Sequence, residues 1–194
     1  YNPGPEVMQV AHDAFTTYFT ENALSPMAFP SLKKFETEVI AMVANLFHGD
    51  KNVVGNMTSG GTESIFMACK TAREFARAKK PHIKEPEILM PNTAHPAFNK
   101  SAHYLGMKMK LVPVDKEYRA DVEAIRQAVT ENTVMMVGSA MTYPHGMVDN
   151  IPELAAISKE HDIWFHTVSC LGGFILPYAQ MLGYSIPDFD FSVE

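Results

Sequence analysis

The chain has 194 residues, of which 46% are hydrophobic and 20% are charged, as expected of a folded globular protein with one sizeable core. Its formal net charge is −6 at pH 7 with both signs interspersed, so nothing indicates a nucleic-acid-binding protein. The two cysteines are too few for a disulfide framework and form no zinc motif, so a reducing, cytoplasmic setting is expected. No apolar run approaches the roughly 20 residues of a membrane span.

Two amphipathic helices are predicted at the start of the chain. A helical period of apolar residues runs from Glu6 to Phe19. After a loop rich in helix breakers, Ser31 is placed to cap a second helix that continues to His48. We therefore assign residues 1–48 to an N-terminal helical segment and residues 49–194 to a separate domain.

The second domain is predicted to alternate strands with helices. Short apolar runs predict strands at 53–58, 87–91, 108–114, 133–140 and 163–170, and helical periods separate them at 62–79, 95–105, 121–130 and 151–161. This alternation is typical of β-α-β units, so we expect a three-layer α/β fold in which a mostly parallel sheet has helices on both faces. Ligands of such sheets bind at the carboxyl ends of the strands, so the loops that follow the strands are the candidate sites.

The loop after the first predicted strand reads "TSGGTES" and leads into a helix. Ser59, Gly60, Gly61 and Thr62 can present backbone N–H groups and hydroxyls beside the positive end of the helix dipole, an arrangement that binds anions and most often phosphate. The loop matches neither G-x-x-x-x-G-K-[ST] nor G-x-G-x-x-G, so neither nucleotide motif is met. The alternative is a tight turn that only starts the helix, with Glu63 in its first turn.

Two further loops carry candidate polar residues. His95 opens the helix after the second predicted strand. A histidine there can stack on a planar ligand or carry a proton, and the alternative is that it only caps the helix. Thr142 and His145 follow the fourth predicted strand and are placed where they could face a pocket. Asp149 and Asn150 are predicted to cap the next helix instead.

The last predicted strand lies in "IWFHTVSCLGGF". Because successive side chains of a strand alternate between its faces, one face carries Trp164, His166, Val168 and Cys170. The glycine pair at 172–173 allows the backbone to approach another group closely. Taken alone, this segment predicts a buried strand that ends in a turn, and it names no reaction.

The order of these motifs resembles the fold-type-I pyridoxal-phosphate decarboxylase group, and within that group it is most similar to the sphingosine-1-phosphate lyases and their bacterial relatives. The motifs that carry the resemblance are "TSGGTES", "AHPAFNKSAHYLGMK", "GSA…PHGMVDNIPELA" and "FHTVSCLGGF", preceded by "ENALSPMAFPSLKKFETEVIAMVANLF". The resemblance covers essentially all 194 residues. It implies the large-domain fold of the pyridoxal-phosphate transferases.

The resemblance implies pyridoxal 5'-phosphate as the cofactor and assigns residues to it. Residues 59–62 would cradle the phosphate, His95 would stack on the pyridine ring, and Thr142 would contact the cofactor from its strand-end loop. His166 and Val168, which share a strand face, complete the predicted cofactor-binding set. The resemblance also implies a small-molecule amine substrate and a homodimer with the site at the subunit interface.

The sequence departs from the family pattern in three places. The family reads His-x-Asp-Ala-Cys-x-Gly-Gly where this chain has "HTVSCLGG", so Val168 replaces the aspartate that pairs with the pyridine nitrogen. Ser25 stands where the lyases usually carry a histidine. The lysine that forms the Schiff base is expected beyond Glu194, together with a small C-terminal domain. We therefore interpret the chain, which starts without Met, as a piece of a longer enzyme.

Three functions stay open at this point. The first is a carbon–carbon lyase of sphingolipid metabolism that cleaves a phosphorylated amino alcohol. The second is an amino-acid decarboxylase, and the third is a catalytically inactive relative that binds a phosphorylated ligand. By itself the chain is expected to be inactive, because both the lysine and the carboxylate for the pyridine nitrogen are missing from it.

Overall fold

The structure is a computed structural model that describes residues 2–22 and 24–193, so that Tyr1, Ala23 and Glu194 lie outside the described residues. The chain divides into two compact units, of which the first ends at Met42 and the second starts at Val43.

The first unit consists of helix α1 (Pro5–Tyr18) and the greater part of helix α2 (Pro30–Leu46). Both helices begin with a proline, whose fixed φ suits the first helical turn and which has no N–H that needs an acceptor there. Ser31 consequently lies inside α2, and the predicted cap at Ser31 is wrong. In the described parts of both helices no residue is fully buried.

The second unit alternates helices and strands in the predicted order. Its described elements are α3 (Gly61–Lys79), β1 (Glu87–Pro91), α4 (Ala97–Leu105), β2 (Lys108–Val112), α5 (Val122–Ala128), β3 (Thr133–Ser139), α6 (Ile151–Glu160), β4 (Trp164–Val168), a 3-10 turn (Gly172–Phe174) and α7 (Leu176–Met181). The predicted helices and the four later predicted strands are confirmed, with ends within two residues of those expected.

The four described strands form one parallel sheet in the order β2-β1-β3-β4. Leu89 of β1 is paired with Lys110 of β2 on one side and with Met136 of β3 on the other. Val137 of β3 is paired with His166 of β4. Because β2 and β3 lie on opposite sides of β1, the direction of winding reverses between β1 and β3. At such a switch point a crevice opens outside the carboxyl ends of the strands, and ligands bind there.

Helices cover both faces of the sheet, which confirms the expected three-layer α/β architecture. On one face, Ile88 of β1 and Phe98 of α4 belong to a cluster that also includes α3. On the other face, Leu89 and Met136 pack with Ile125 of α5 and with α6. Every residue of β3 is buried, so this strand lies at the centre of the core.

The first predicted strand, at 53–58, is wrong. These residues form an irregular and mostly exposed segment, and the side chain of Val54 is among the most exposed apolar groups at 88%. No described strand pairs with this segment. An apolar run becomes a strand only when a neighbouring strand supplies its backbone hydrogen-bond partners, and the four described strands pair only with one another.

Candidate functional site

The turn at residues 59–62 leads directly into α3, which starts at Gly61. A Cβ atom added at Gly60 or Gly61 would meet nothing within 4 Å, so the space beside this backbone is open. The first N–H groups of an α-helix have no acceptor within the helix, and the helix dipole places partial positive charge on them. The turn therefore presents several N–H donors and a positive potential to an open space.

Ser59 is hydrogen-bonded to an anionic oxygen of the chain itself. Its backbone N–H and its hydroxyl both donate to Oε2 of Glu63, each at 2.6 Å. These two bonds hold the pKa of Glu63 below its usual value, and the bond from the hydroxyl has the larger effect. Beside them, the hydroxyl oxygens of Thr58 and Ser64 lie 2.7 Å apart. The donors of Ser59 thus converge on one oxyanion, which is the arrangement that holding a phosphate oxygen requires.

The glycine turn lies at the carboxyl edge of the sheet. At the far end of α3, Nζ of Lys80 lies 3.2 Å from the carboxylate of Asp162, two residues before β4 begins. This contact places the end of α3 at the amino edge of the sheet. The helix packs on the sheet and is about 28 Å long at a rise of about 1.5 Å per residue, so its start lies at the opposite edge.

His95 lies in the loop after β1, at the switch point of the sheet. Its ring is half-buried, and Nδ1 accepts a hydrogen bond from the N–H of Ala97 at 3.1 Å. A nitrogen that accepts carries no proton, so the neutral ring has its proton on Nε2. His95 therefore fixes its ring by capping the first turn of α4. Two residues earlier, the buried hydroxyl of Thr93 has no hydrogen-bond partner among the described residues.

Thr142 lies in the loop after β3 and is buried. Its N–H donates to the carbonyl of Met147 at 2.7 Å, and its hydroxyl oxygen accepts from the N–H of Met147 at 3.2 Å. The next side chain, Tyr143, is 83% exposed, and its ring lies edge-on to His95 with centroids 6.2 Å apart. The loops after β1 and β3 therefore meet. Tyr143 is absent from the predicted set, although its place directly after Thr142 in a strand-end loop is a signal for it.

The polar residues that follow Thr142 make contacts within the chain. His145 stacks on Tyr118, with ring centroids 4.4 Å apart and an interplanar angle of 16°. Asn150 occupies the N-cap position of α6 as predicted, but no side chain, that of Asp149 included, makes a cap hydrogen bond there. Asp149 is fully buried and bonds to backbone N–H groups elsewhere.

Strand β4 carries His166 and Val168 on the face covered by α3 and α4. Trp164 and Val168 pack against that core, and the ring of His166 lies edge-on to Phe98 with centroids 6.0 Å apart. The predicted alternation is thus confirmed for these three residues, while Cys170 lies beyond the strand and is exposed. Burial alone lowers the pKa of His166 to about 4, so its ring is neutral at pH 7.

The carboxyl ends of β3 and β4 are joined at the glycine pair. The N–H of Ala140 donates to the carbonyl of Val168 at 2.7 Å. Gly172 lies against Ala140 so closely that a Cβ atom would clash with its carbonyl oxygen, and a Cβ at Gly173 would lie 2.7 Å from the ring of Phe47. The close approach predicted for the glycine pair is confirmed, and its partners are other parts of the chain.

The pyridoxal-dependent decarboxylase conserved domain matches residues 1–190. The chain belongs to the pyridoxal-dependent decarboxylase family. It is 43% identical to the sphingosine-1-phosphate lyase of Dictyostelium discoideum over 97% of the chain, and 45% identical to that of Arabidopsis thaliana over 94% of the chain. These alignments cover 35% and 34% of the two lyases, so the chain spans about a third of the length of the curated relatives it matches.

A solved structure from the family agrees with the fold. The sphingosine-1-phosphate lyase of Burkholderia pseudomallei matches with a TM-score of 0.93 and 40% identity, covering 100% of this chain and 46% of that chain. The resemblance inferred from the motifs and the expected large-domain fold are therefore confirmed. Membership in the family also confirms pyridoxal 5'-phosphate as its cofactor.

The described residues fit this cofactor at its phosphate end and not at its ring nitrogen. The donors of Ser59 converge on an oxyanion, and the backbone of Gly60 and Gly61 is open to a ligand. At position 168, where the resemblance predicts an aspartate, the chain has an isopropyl group that packs against the core. Valine offers neither a charge nor a hydrogen bond to a pyridine nitrogen.

Three other properties bear on the kind of site. No described helix is long and apolar enough to cross a membrane. Within residues 2–22 and 24–193, no group of three or more His, Cys, Asp or Glu side chains is arranged to hold a metal ion. Both cysteines are free, and burial raises the pKa of Cys69 to about 11, so this thiol is protonated at neutral pH.

Proposed function

We propose that the protein to which this chain belongs is a pyridoxal-phosphate-dependent carbon–carbon lyase that cleaves a phosphorylated amino alcohol. The observation that carries the proposal is the identity of 43% and 45% to two sphingosine-1-phosphate lyases across nearly the whole chain. The glycine turn and the loops after β1 and β3, which share one edge of the sheet, support it. An amino-acid decarboxylase is the alternative within the same family.

The proposed cofactor site lies at this carboxyl edge. Residues 59–62 hold the phosphate with backbone N–H groups and hydroxyls, and His95 packs on the pyridine ring. Thr142 contributes a hydroxyl whose proton is not used by its bond to Met147. These residues bind and orient the ligand, and the cofactor, when bound, supplies an electron sink for the bond broken at the α-carbon of the substrate.

Neither His166 nor Val168 carries a charge at neutral pH on the strand face below this edge. With a pKa of about 4, His166 places no positive charge there at neutral pH. With valine at 168, β4 supplies no carboxylate that would keep a pyridine nitrogen protonated, so the electron sink is weaker. A catalytically inactive relative that binds a phosphorylated ligand is therefore the second candidate, and Val168 is the observation that favours it.

We also propose a homodimer with the site at the subunit interface, in a reducing cytoplasmic setting. Large apolar side chains of α1 and α2 are exposed, among them Phe15 at 69% and Met42 at 68%, and surfaces of this kind support contact with a second subunit. The two free cysteines support the setting. In this proposal residues 1–48 are the helical segment and residues 49–194 the cofactor-binding domain.

Ser59→Ala tests the phosphate cradle. The variant removes one of the two donors that converge on the oxyanion, and we expect the affinity of the full-length protein for pyridoxal 5'-phosphate to fall about tenfold. The measurement is a titration that follows the absorbance of the bound cofactor. Thr71→Ala is the matched control, because the Thr71 hydroxyl donates to the carbonyl of Met67 farther along the same helix. Unchanged affinity in Ser59→Ala would argue against the cradle.

Products of the full-length protein decide between the reactions. Release of a long-chain aldehyde from a phosphorylated sphingoid base supports the lyase, and release of carbon dioxide from an amino acid supports the decarboxylase. A protein that binds the cofactor and yields neither product is the inactive relative.

Val168→Asp tests whether the missing carboxylate limits the reaction. One pKa unit at the pyridine nitrogen corresponds to about 1.4 kcal/mol, so we expect kcat of the full-length protein to rise about tenfold. Val168→Asn is the control, because asparagine has nearly the same shape as aspartate but no charge. An equal rise in both variants would refute the electrostatic explanation. Thermal unfolding of both variants shows whether the half-buried site accepts a polar side chain.

A further inference from the structure

The segment from Ser139 to Asp149 is a loop closed at its base by a carboxylate. The N–H of Asp149 donates to the carbonyl of Ser139 at 2.9 Å, and the N–H of Ser139 donates to Oδ2 of Asp149 at 2.8 Å. One residue further into the loop on each side, Ala140 and Val148 form an antiparallel bridge. The two arms of the loop are thus tied together where β3 ends.

The same carboxylate also bonds to a second loop. Oδ1 of Asp149 accepts from the N–H of Ala120 at 2.7 Å. Ala120 lies between β2 and α5 and forms a bridge with Val114. Both carboxylate oxygens therefore accept from backbone N–H groups, one at the last residue of β3 and one in the loop after β2.

Asp149 has no exposed surface, at 0%. Burial raises its pKa, the two backbone hydrogen bonds oppose this, and of the nearby charges Asp115 raises the pKa and Arg119 lowers it. An apolar side chain would occupy this space without loss of hydration, but it would leave two buried N–H groups without an acceptor. The carboxylate is thus suited to fix the two loops relative to each other.

The tip of the loop after β3 carries two residues of the proposed site. Thr142 closes the tip through its two bonds to Met147, and Tyr143 lies edge-on to His95. No bond of Asp149 described above involves these tip residues. Asp149 is therefore placed to act on a ligand through the position of the loop.

We propose that Asp149 is a positioning residue of the cofactor site. By accepting hydrogen bonds from Ser139 and Ala120 at the base of the loop, it holds the tip that carries Thr142 and keeps Tyr143 against His95. The inference rests on the proposed function and adds to that site a residue that does not touch the ligand. Without the carboxylate, the tip is no longer fixed relative to His95. The ring end of the cofactor then loses affinity, whereas the phosphate end, held by residues 59–62, does not.

Hydrogen exchange tests the loop without a ligand. Asp149→Asn keeps the shape of the side chain, but its NH2 group faces a backbone N–H that is left without an acceptor. We expect amides in 140–147 to exchange about tenfold faster in this variant of the full-length protein. Asp121→Asn is the matched control, because the Asp121 carboxylate accepts from the N–H of Ala124 at 3.0 Å at the start of α5. Exchange in 140–147 at the wild-type rate in Asp149→Asn overturns the inference.

Ligand affinity supplies the second measurement. In Asp149→Asn we expect the Kd for pyridoxal 5'-phosphate to rise about tenfold and the Kd for inorganic phosphate to stay at the wild-type value. Combining Asp149→Asn with Thr142→Val should give less than the sum of the two separate effects, because both act through the same loop tip. An equal loss for both ligands, or the same loss in Asp121→Asn, shows a general structural defect and overturns the positioning role.

The outcomes separate this inference from the proposed function. Wild-type protein that does not bind pyridoxal 5'-phosphate overturns the cofactor site, and with it the role of Asp149. If wild-type protein and Asp149→Asn bind the cofactor with the same affinity, only the positioning role is overturned. If Asp149→Asn does not fold, Asp149→Ser is measured in its place, since its small hydroxyl still accepts from one N–H and carries no buried charge.

Discussion

The imidazole of His166 lies on the sheet face under α4, with the ring of Phe98 edge-on to it. Burial lowers its pKa from 6.5 to about 4. The unfolded chain therefore binds a proton at this residue in a pH range in which the folded chain does not. Between about pH 4 and pH 6.5 the unfolded state binds more protons than the folded state. The free energy of unfolding therefore rises with pH through this window and decreases as the pH is lowered.

We expect this one group to lower the free energy of unfolding by at most about 3 kcal/mol as the pH falls from 6.5 to 4, at about 1.4 kcal/mol per pKa unit. Urea denaturation over a pH series measures the effect. His166→Gln should flatten the profile in this window. An equally steep profile in His166→Gln would show that other groups cause the acid instability.

Among the elements, the contact between the 3-10 turn and the end of β3, called the joint below, requires that residue 172 has no side chain. Gly172 lies against the peptide between Ala140 and Met141, where a Cβ atom would clash with backbone. Backbone atoms cannot move aside as a flexible side chain does. The turn after β4 and the loop after β3, which carries Thr142, are therefore held in contact.

Gly172→Ala should lower the free energy of unfolding by about 3 kcal/mol, because the added methyl group forces this joint apart. Gly61→Ala is the matched control, since a Cβ there meets nothing within 4 Å and alanine favours the helix. Urea denaturation of both variants measures the difference. A loss in Gly172→Ala no larger than that in Gly61→Ala would mean that the joint opens without strain.

Periodicity predicted the helices and the four paired strands because it depends on neighbouring residues in the chain. The segment at 53–58 has the apolar character of a strand, but pairing depends on partners distant in sequence. Ser31 is a good helix cap by residue type, yet Pro30 starts the helix one residue earlier. Asp149 also looks like a cap, and only the tertiary fold brings the N–H groups of Ser139 and Ala120 to its carboxylate.

For the molecule as a whole, the order of the motifs along the chain predicted the family, because the sheet brings the loops after its strands to one edge. Individual contacts at that edge were not predictable. The ring contact between His95 and Tyr143 depends on how two loops fold across the switch point. The assignment of residues 59–62, His95, Thr142, His166 and Val168 to a cofactor stays a prediction.

Strand β4 lies at one edge of the described sheet, and no described strand pairs with its outer side. A groove of about 570 Å³ runs beside it, and its lining includes Phe47, Trp164 and Phe189. An open strand edge beside an apolar groove is a surface that associates with other strands or subunits. This surface supports the proposed contact with a second subunit.

In the proposed site, the carboxylate of Glu63 would make phosphate binding at the glycine turn a replacement of one anion by another. A tethered carboxylate competes at a high effective concentration, because it belongs to the same chain as the donors of Ser59. In return, those donors already point in the direction that an incoming oxyanion needs. A singly charged anion gains little from such an exchange, whereas a phosphate monoester, with a charge of about −1.5 to −2 at neutral pH, is able to displace the carboxylate.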